Sequence, residues 1–420
     1  MNALILLGII LGLLALRQPL VVIMLSVAAA VQLIWGRGEL DYIIEDMWVA
    51  LDKELILSIP LFLMCGAVMT KGSTARRLIG IMEELTRPLP GGLGVACVLA
   101  CALFASISGS SIVTMLAVGS VMLPALTKAG YSLPFSLGSI MAGGTLGIII
   151  PPSIPLILYG LVTETSITDL FLAGIGPGLL LTALLSIYAI WVNRRLKAQR
   201  FQPAVFLRVL REGFWSLLTP VILLGGIYAG WFTPTEAAAV GLAYALIIET
   251  FVHRDFSLRD FYQVVLDTSR LGGSLFPVLA VALSLNIVLV EHRVPVLMIE
   301  FVQQYIDSPL TFMLVINAVL LAVGCLMTTN EAILVLGPIL APLANAYGYD
   351  PVTFGIIMIL NLEIGYLTPP VGINLIVAMT AFRQPFGLLC RSALPFIALM
   401  MFGLILIVLM PGISTYWVRP

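Results

Sequence analysis

The chain has 420 residues, of which 60% are hydrophobic and only 10% carry a charge. Soluble proteins contain about 25% charged residues, so this composition predicts a protein embedded in a lipid bilayer. The formal net charge of −1 argues against nucleic acid as a partner. The five cysteines lie in apolar runs without a Cys-x-x-Cys pair, which predicts small buried side chains rather than a metal site or disulfides.

Apolar segments that could cross a membrane recur along the whole chain. A membrane-spanning helix needs about 20 apolar residues. The N-terminal segment lacks a basic region and a small-residue cleavage site, so we interpret it as a retained span rather than a signal peptide. We predict spans near residues 3–16, 18–35, 55–70, 135–165, 169–193, 215–232, 235–252, 273–290, 353–382 and 388–410.

Two further segments, 92–127 and 309–345, are apolar on both sides of a polar centre. The centres are Ser108-Gly109-Ser110-Ser111 and Thr328-Thr329-Asn330. Polar backbone at membrane depth persists only where protein covers it or where it lines a cavity. The pattern therefore predicts two re-entrant helical hairpins whose tips lie inside the membrane.

A glycine followed by a Pro-Pro pair interrupts two of the predicted spans, at 147–152 and at 365–370. Proline has no backbone N–H and clashes with the preceding helical turn, so each span is predicted to be a discontinuous helix. Interrupted helices at matching positions of two halves indicate the binding site of a secondary transporter.

The two halves of the chain are related by a sequence repeat. Residues 124–177 align without gaps with residues 342–395, and the recurring positions are mainly glycines and prolines, which set backbone shape. They include Pro124, Gly130, Gly147, Pro151, Pro152 and Pro177, which recur as Pro342, Gly348, Gly365, Pro369, Pro370 and Pro395.

Basic residues predict how this repeat is oriented. They cluster in loops near 71–87, 194–211 and 253–270, and such loops favour the cytoplasmic side. If neither hairpin crosses the membrane, all three loops fall on that side, and the two hairpins open to opposite faces. The predicted fold is an all-α polytopic membrane protein with an inverted repeat, two re-entrant hairpins and two discontinuous helices.

This organisation predicts four parts of the chain. Residues 1–54 hold N-terminal scaffold spans and a first amphipathic arm, and residues 55–193 hold the first repeat with hairpin 92–127 and broken helix 135–165. Residues 194–272 hold a basic cytoplasmic loop, scaffold spans and a second arm. Residues 273–420 hold the second repeat with hairpin 309–345 and broken helix 353–382. The arms are expected to be interfacial helices.

Four stretches of the chain resemble the large membrane subunit of a tripartite ATP-independent periplasmic (TRAP) transporter, the DctM-like family. One departure is visible, because similar sequences have an acidic residue near position 328, where this chain has Thr328, with Glu331 one helical turn later. The matching stretches are residues 106–111, 144–153, 230–238 and 361–375.

The resemblance implies an elevator-type, sodium-coupled importer of a small organic acid in the bacterial inner membrane. It implies a periplasmic substrate-binding protein (DctP-like) that delivers the solute. It also implies a separate small four-helix membrane subunit (DctQ-like), since this chain shows no additional N-terminal four-span segment. Na⁺ is then the transported coupling ion, and no organic cofactor is expected.

Hairpin tips and helix breaks expose helix ends that suit ions. Helix N-termini carry partial positive charge and free N–H groups that suit a carboxylate, whereas unwound carbonyls with Ser and Thr hydroxyls suit Na⁺. The predicted Na⁺ ligands are Ser108, Gly109, Ser110, Thr145 and Gly147 in the first half and Thr328, Thr329, Gly365 and Thr368 in the second. The predicted solute contacts are Ser111, Asn330, Asn361 and Asn374.

Alternatives remain open at this point. Hydroxyls in membrane helices often bond to their own helix or to a neighbouring one. Glu363 and Glu331 could each bind Na⁺, carry a proton or cap a helix end, whereas Glu236 after Thr233-Pro234 predicts a structural capping box. An intramembrane enzyme acting on a lipid or peptide bond is the alternative function, with Ser110 as its nucleophile, but neither histidine lies in a predicted membrane core.

Overall fold

The computed structural model describes residues 8–9, 12–13, 15–34 and 40–418, and in these residues the chain is helical without any β-strand. This confirms the predicted all-α class. The first predicted span, 3–16, lies largely outside the described residues. The helices of ten or more residues are Leu20–Ile34, Asp41–Leu51, Ser58–Lys71, Thr74–Thr86, Gly92–Ser108, Ser111–Lys128, Leu133–Thr145, Ile154–Thr163, Ile167–Val192, Pro203–Tyr228, Pro234–Ile247, Leu258–Glu291, Val294–Gln303, Pro309–Gly324, Thr329–Ala346, Pro351–Tyr366, Ile373–Phe382 and Phe386–Leu409.

Seven helical segments of the described chain are long and apolar enough to cross a bilayer, although two of them include a short 3₁₀ or π turn. Their apolar side chains remain partly exposed on the outside of the molecule, for example Trp191, Leu207 and Leu394. In a bilayer such side chains face lipid, which is as apolar as they are. The seven segments are Glu54–Lys71, Ser111–Lys128, Ile167–Val192, Pro203–Tyr228, Pro234–Val252, Leu258–Glu291 and Phe386–Leu409.

Two pairs of antiparallel helices have polar turns between them. In the first hairpin, Gly92–Ser108 and Ser111–Lys128 are joined by Gly109 and Ser110, and Gly109 has a φ of +58°. Glycine suits this left-handed turn because it has no Cβ. In the second hairpin, Pro309–Gly324 and Thr329–Ala346 are joined by residues 325–328.

Both Pro-Pro segments interrupt a helix. The first broken helix runs from Leu133 to Ile148 and resumes as Ile154–Thr163. The second consists of Pro351–Tyr366 and Ile373–Phe382. The Pro151-Pro152 and Pro369-Pro370 peptide bonds are both cis. These interruptions agree with the discontinuous helices that the Gly and Pro-Pro pattern predicts.

The central parts of the two broken helices lie in the interior of the protein. Residues 352–367 are buried at every position, and so are residues 135–149. A helix that is apolar on all sides is typical of a protein core or a membrane span, and the burial of these residues shows that protein surrounds them. The interrupted backbone therefore lies where protein, not lipid, can cover it.

The structure differs from the sequence prediction in two places. A short helix forms at Thr74–Thr86, where we predicted a basic loop, and another forms at Val294–Gln303, for which no element was predicted. Neither helix is long enough to span a membrane. The second arm and the span that follows it form one helix, Leu258–Glu291, which continues through Gly272 and Gly273. The first arm, Asp41–Leu51, is a separate helix.

Candidate ion and solute site

The first hairpin tip packs directly on the first helix break. The N–H of Ile154 donates a 3.3 Å hydrogen bond to the carbonyl of Gly109. A Cβ at Gly147 would lie 2.7 Å from the carbonyl oxygen of Ser110, and a Cβ at Gly109 would lie 2.9 Å from that of Pro152. Glycine at both positions therefore lets the two backbones approach each other.

The second hairpin makes the matching contact. The N–H of Gly372 donates a 3.2 Å hydrogen bond to the carbonyl of Cys325, and Gly372 occupies the repeat position of Ile154. A Cβ at Gly365 would lie 2.6 Å from the Cα of Gly324. Each half of the chain thus joins its own tip to its own break through backbone atoms.

The two tips face one cavity of about 280 Å³. Two helices begin at this cavity, with Ser111 and Thr329 as their first residues, so the positive ends of two helix dipoles meet there. Residues 109–113 and 328–331 line the cavity together with Leu63, Leu271, Ser274, Leu275 and Val278. The remaining lining residues are Ile148, Ile154, Pro155, Glu363 and Tyr366.

A buried carboxylate connects the parts of this site. Glu363 is fully buried and accepts a 3.1 Å hydrogen bond from the Thr329 hydroxyl and a 3.0 Å bond from the Asn374 amide. The Ser111 hydroxyl lies against the same carboxylate. No Lys, Arg or His stands among the described residues that line the cavity. The sequence alone left Glu363 undecided between an ion site and a helix cap.

Among the predicted Na⁺ ligands, Gly109, Ser110, Thr328 and Thr329 line the cavity. The hydroxyls of three other predicted ligands instead bond within their own hairpin or helix. Ser108 contacts the Thr114 hydroxyl at 2.7 Å, Thr145 donates to the Ala142 carbonyl at 2.6 Å, and Thr368 donates to the Ile364 carbonyl at 2.7 Å. Gly147 and Gly365 lie at the breaks, in contact with the tips.

Among the predicted solute contacts, Ser111 and Asn330 line the cavity. Asn374 is fully buried beside Glu363. Asn361 lies elsewhere, because its amide donates to the backbone carbonyl of Asn317 at 3.0 Å and to the side-chain oxygen of the same residue at 2.5 Å. The structure therefore brings three of these four residues to the central site.

Two capping boxes involve glutamates named in the sequence analysis, one predicted from the sequence and one among the alternatives left open for Glu331. Thr233 accepts from the N–H of Glu236 at 3.2 Å, and Glu236 accepts from the N–H of Thr233 at 2.8 Å, which confirms the predicted capping box. Thr328 and Glu331 form the same box at the start of Thr329–Ala346, with bonds of 3.2 and 3.3 Å. In the second hairpin, Glu331 thus caps a helix.

Sequence reasoning missed the part of the cavity lining that lies outside the tips and the breaks. It comes mainly from the helix Leu258–Glu291, which contributes Leu271, Ser274, Leu275 and Val278. The spacing of three and four residues places these side chains on one helix face. Nothing in the sequence marked this helix as part of the site, since the neighbouring Gly272 and Gly273 make no close contact with the hairpins.

Paired hairpins, paired broken helices and a polar cavity between them define a membrane transporter built from a repeat. Residues 7–413 match the family model described as the DctM component of the tripartite ATP-independent periplasmic transporter. The chain therefore belongs to this family, as the sequence resemblance implied.

Related proteins support this assignment. The C4-dicarboxylate TRAP transporter large permease protein DctM of Pseudomonas aeruginosa is 43% identical over 363 residues, covering 86% of this chain and 85% of that protein. The isethionate TRAP transporter permease protein DctMQ of Oleidesulfovibrio alaskensis is 36% identical, and the match covers 91% of this chain but 61% of that protein. The YdaH transporter structure from Alcanivorax borkumensis shares the fold, with a TM-score of 0.67 at 14% identity over 98% of both chains.

Family membership decides several questions that the sequence left open. The chain is a large permease subunit of the bacterial inner membrane and not an enzyme, so the intramembrane enzyme with Ser110 as nucleophile is set aside. Permeases of this family work with a small membrane subunit and a periplasmic binding protein.

Proposed function

We propose that this permease imports a small organic acid together with Na⁺, and that a periplasmic binding protein delivers the acid. The observation that supports this proposal most strongly is the cavity that the hairpin tips of both repeats line together. Two helix N-termini and several hydroxyls converge there, and no basic side chain lines it among the described residues.

The solute is held by helix ends and neutral polar groups. Free N–H groups at the starts of Ser111–Lys128 and Thr329–Ala346 suit a carboxylate. Ser111 and Asn330 add hydrogen bonds, and Asn374 acts through its neighbour Glu363, whereas Asn361 bonds to Asn317 outside the cavity. A C4-dicarboxylate or a sugar acid fits this chemistry, and relatives named for a C4-dicarboxylate and for isethionate support a small organic anion.

Na⁺ binds where a tip meets a break. Unwound carbonyls are hard oxygen ligands, and hydroxyls complete the ion's coordination. The backbone contacts between tip and break hold such carbonyls close together in both repeats. The proposed ligand sets are Ser108, Gly109, Ser110, Thr145 and Gly147 in one repeat and Thr328, Thr329, Gly365 and Thr368 in the other.

Transport follows an elevator mechanism in which the hairpins and broken helices move as one body. Those elements belong to the repeats at 55–193 and 273–420, and residues 135–149 and 352–367 of the broken helices are buried at every position. The other residues that line the cavity belong to the helices Ser58–Lys71 and Leu258–Glu291. These two helices, with residues 1–54 and 194–257, form the scaffold that stays fixed.

Proteoliposomes test this proposal. The chain is reconstituted with its small subunit, and uptake of radiolabelled acids is measured with the binding protein outside. Uptake should require an inward Na⁺ gradient and should stop when K⁺ replaces Na⁺ or the binding protein is omitted. Equal uptake without the Na⁺ gradient would refute the coupling, and equal uptake without the binding protein would refute that dependence.

A further inference from the structure

We infer that Glu363 is the centre of a Na⁺ site that joins the two repeats. The inference rests on the proposed Na⁺ coupling and adds to it an ion position that neither hairpin tip forms alone. The site lies where both tips and the second broken helix meet.

Four oxygen-bearing side chains converge at this point from three different elements. Glu363 lies in the last turn of the first half of the second broken helix, and Asn374 lies in the first turn of its second half. Thr329 and Ser111 are the first residues of the helices that leave the second and first tips. Carboxylate, amide and hydroxyl oxygens are the ligands that hard cations prefer.

The charge of Glu363 needs a partner. The side chain is fully buried at membrane depth, and the described residues include no ion pair to it and no basic residue in the cavity wall. A buried carboxylate is strongly disfavoured unless a cation or a proton neutralises its charge. The donors Thr329 and Asn374 suit the ionised form of Glu363 but bring no positive charge, which leaves that role to a cation.

A second observation points to a bound cation. Asn374 is fully buried, and its side-chain oxygen has no hydrogen-bond partner among the described residues. The amide nitrogen of the same side chain donates to Glu363, so the orientation of the amide follows from its hydrogen bond and the oxygen remains available. This oxygen can therefore coordinate a cation.

The charge of the site favours a monovalent ion. Sites for Ca²⁺ usually combine several carboxylates, and here a single carboxylate stands among neutral oxygens. The described residues contain no group of three or more His, Cys, Asp or Glu side chains that could hold a metal ion. One Na⁺ would balance the single negative charge of Glu363 and would hold the two tips together through Ser111 and Thr329.

Equilibrium binding of radioactive Na⁺ to the purified complex tests the inference, with choline keeping the ionic strength constant. The variant is Glu363→Gln, which keeps the shape of the side chain and removes its charge. The control is Asp350→Asn, at the opposite end of the same helix, where the carboxylate accepts from the N–H of Thr353 at 2.9 Å. We expect Glu363→Gln to bind one Na⁺ fewer, or to bind that ion at least about tenfold more weakly, whereas the control retains the wild-type count.

The outcomes separate this inference from the proposed function. If the wild-type complex binds no Na⁺, the coupling itself fails. If the wild type binds Na⁺ and Glu363→Gln binds the same number with the same affinity, only the Glu363 site is overturned. If Glu363→Gln does not fold, Thr329→Ser and Thr329→Val decide the question, because serine keeps the hydroxyl ligand and valine keeps only the shape. Equal Na⁺ binding by these two variants also overturns the site.

Discussion

The hydroxyl of Thr329 donates a 3.1 Å hydrogen bond to the carboxylate of Glu363. The bond joins the tip of the second hairpin to the last turn before the second helix break. In the repeat alignment Glu363 corresponds to Thr145, whose hydroxyl bonds to its own helix and lies 3.6 Å from the sulfur of Met400. The two repeats therefore have a similar backbone arrangement, but only the second has a carboxylate at this position.

The first prediction concerns the backbone contact at Gly365. Gly365→Ala should abolish uptake, because the new Cβ would lie 2.6 Å from backbone atoms of Gly324 and would push the tip away from the break. The loss should appear in solute uptake by proteoliposomes.

The matched control is Gly225→Ala, in the helix Pro203–Tyr228, where a Cβ would meet nothing within 4 Å. Uptake by this variant should equal that of the wild type, since alanine is also favoured over glycine in a helix by about 1 kcal/mol. Normal uptake by Gly365→Ala would mean that the tip need not contact the break.

The two capping boxes provide a second prediction. Thr233→Ala and Thr328→Ala each remove an N-cap hydroxyl that accepts a 3.2 Å bond. Each should lower stability by about 1 kcal/mol, measured as a shift of the thermal unfolding midpoint. Only Thr328→Ala should also reduce Na⁺-dependent uptake, because Thr328 lines the cavity and Thr233 does not. Equal loss of uptake in both variants would contradict the assignment of Thr328 to the site.

A third prediction concerns the residues that the sequence analysis assigned to the solute. Ser111→Ala and Asn330→Ala should each raise the KM for the acid by about five- to tenfold, since one hydrogen bond contributes about 1 kcal/mol. Asn361→Ala should leave that KM unchanged and lower stability instead, because its amide bonds to Asn317. Initial uptake rates at several acid concentrations measure the difference, and a raised KM in Asn361→Ala would return that residue to the solute site.

Much of the fold could be predicted because its signals are local. Pro-Pro pairs interrupt a helix wherever they occur, and a polar centre between apolar arms predicts a hairpin. Thr74–Thr86 was missed because its charges, including Arg76 and Arg77, resemble those of a loop. The arm and the span that follows it were predicted as separate elements, whereas Leu258–Glu291 is continuous, since packing against other helices outweighs the weak helix preference of Gly272 and Gly273.

The candidate site was predicted only in part because its contacts are non-local. The tips face the cavity as the polar residues in the sequence suggested, but the partner of each hydroxyl depends on packing. Thr145 and Thr368 bond to their own helices, whereas Thr329 reaches Glu363, which is 34 residues away along the chain. Residue type alone could not separate these cases.

A fourth prediction tests the inverted topology. A cysteine at Ala198, in the basic loop after Ile167–Val192, should react with a membrane-impermeant reagent only from the cytoplasmic side. A cysteine at Asp307, at the outer end of the second hairpin, should react only from the periplasm. The native cysteines are first replaced, since Cys390 is partly exposed. Labelling of both positions from one side would contradict two hairpins that open to opposite faces.

The last prediction concerns a second buried carboxylate, which lies outside the transport site. Glu249 is fully buried and accepts 3.0 Å hydrogen bonds from the N–H groups of Ser73 and Thr74, at the start of the helix Thr74–Thr86. It also accepts from the Thr74 hydroxyl and lies 3.3 Å from His253. This side chain thus fixes the start of Thr74–Thr86 to the end of another helix.

Glu249→Gln should lower stability by about 2 kcal/mol, because hydrogen bonds to a charged group contribute about 1.5–3 kcal/mol and the amide retains only one acceptor oxygen. The control is Asp267→Asn, which disrupts an exposed pair with Arg270 at 3.6 Å and should change stability by less than about 0.5 kcal/mol. The thermal unfolding midpoint of the purified complex measures both. Because Thr74–Thr86 packs against the first hairpin, a loosened start should also slow uptake without changing the number of bound Na⁺ ions. A changed Na⁺ count in Glu249→Gln would mean that the carboxylate does more than anchor this helix.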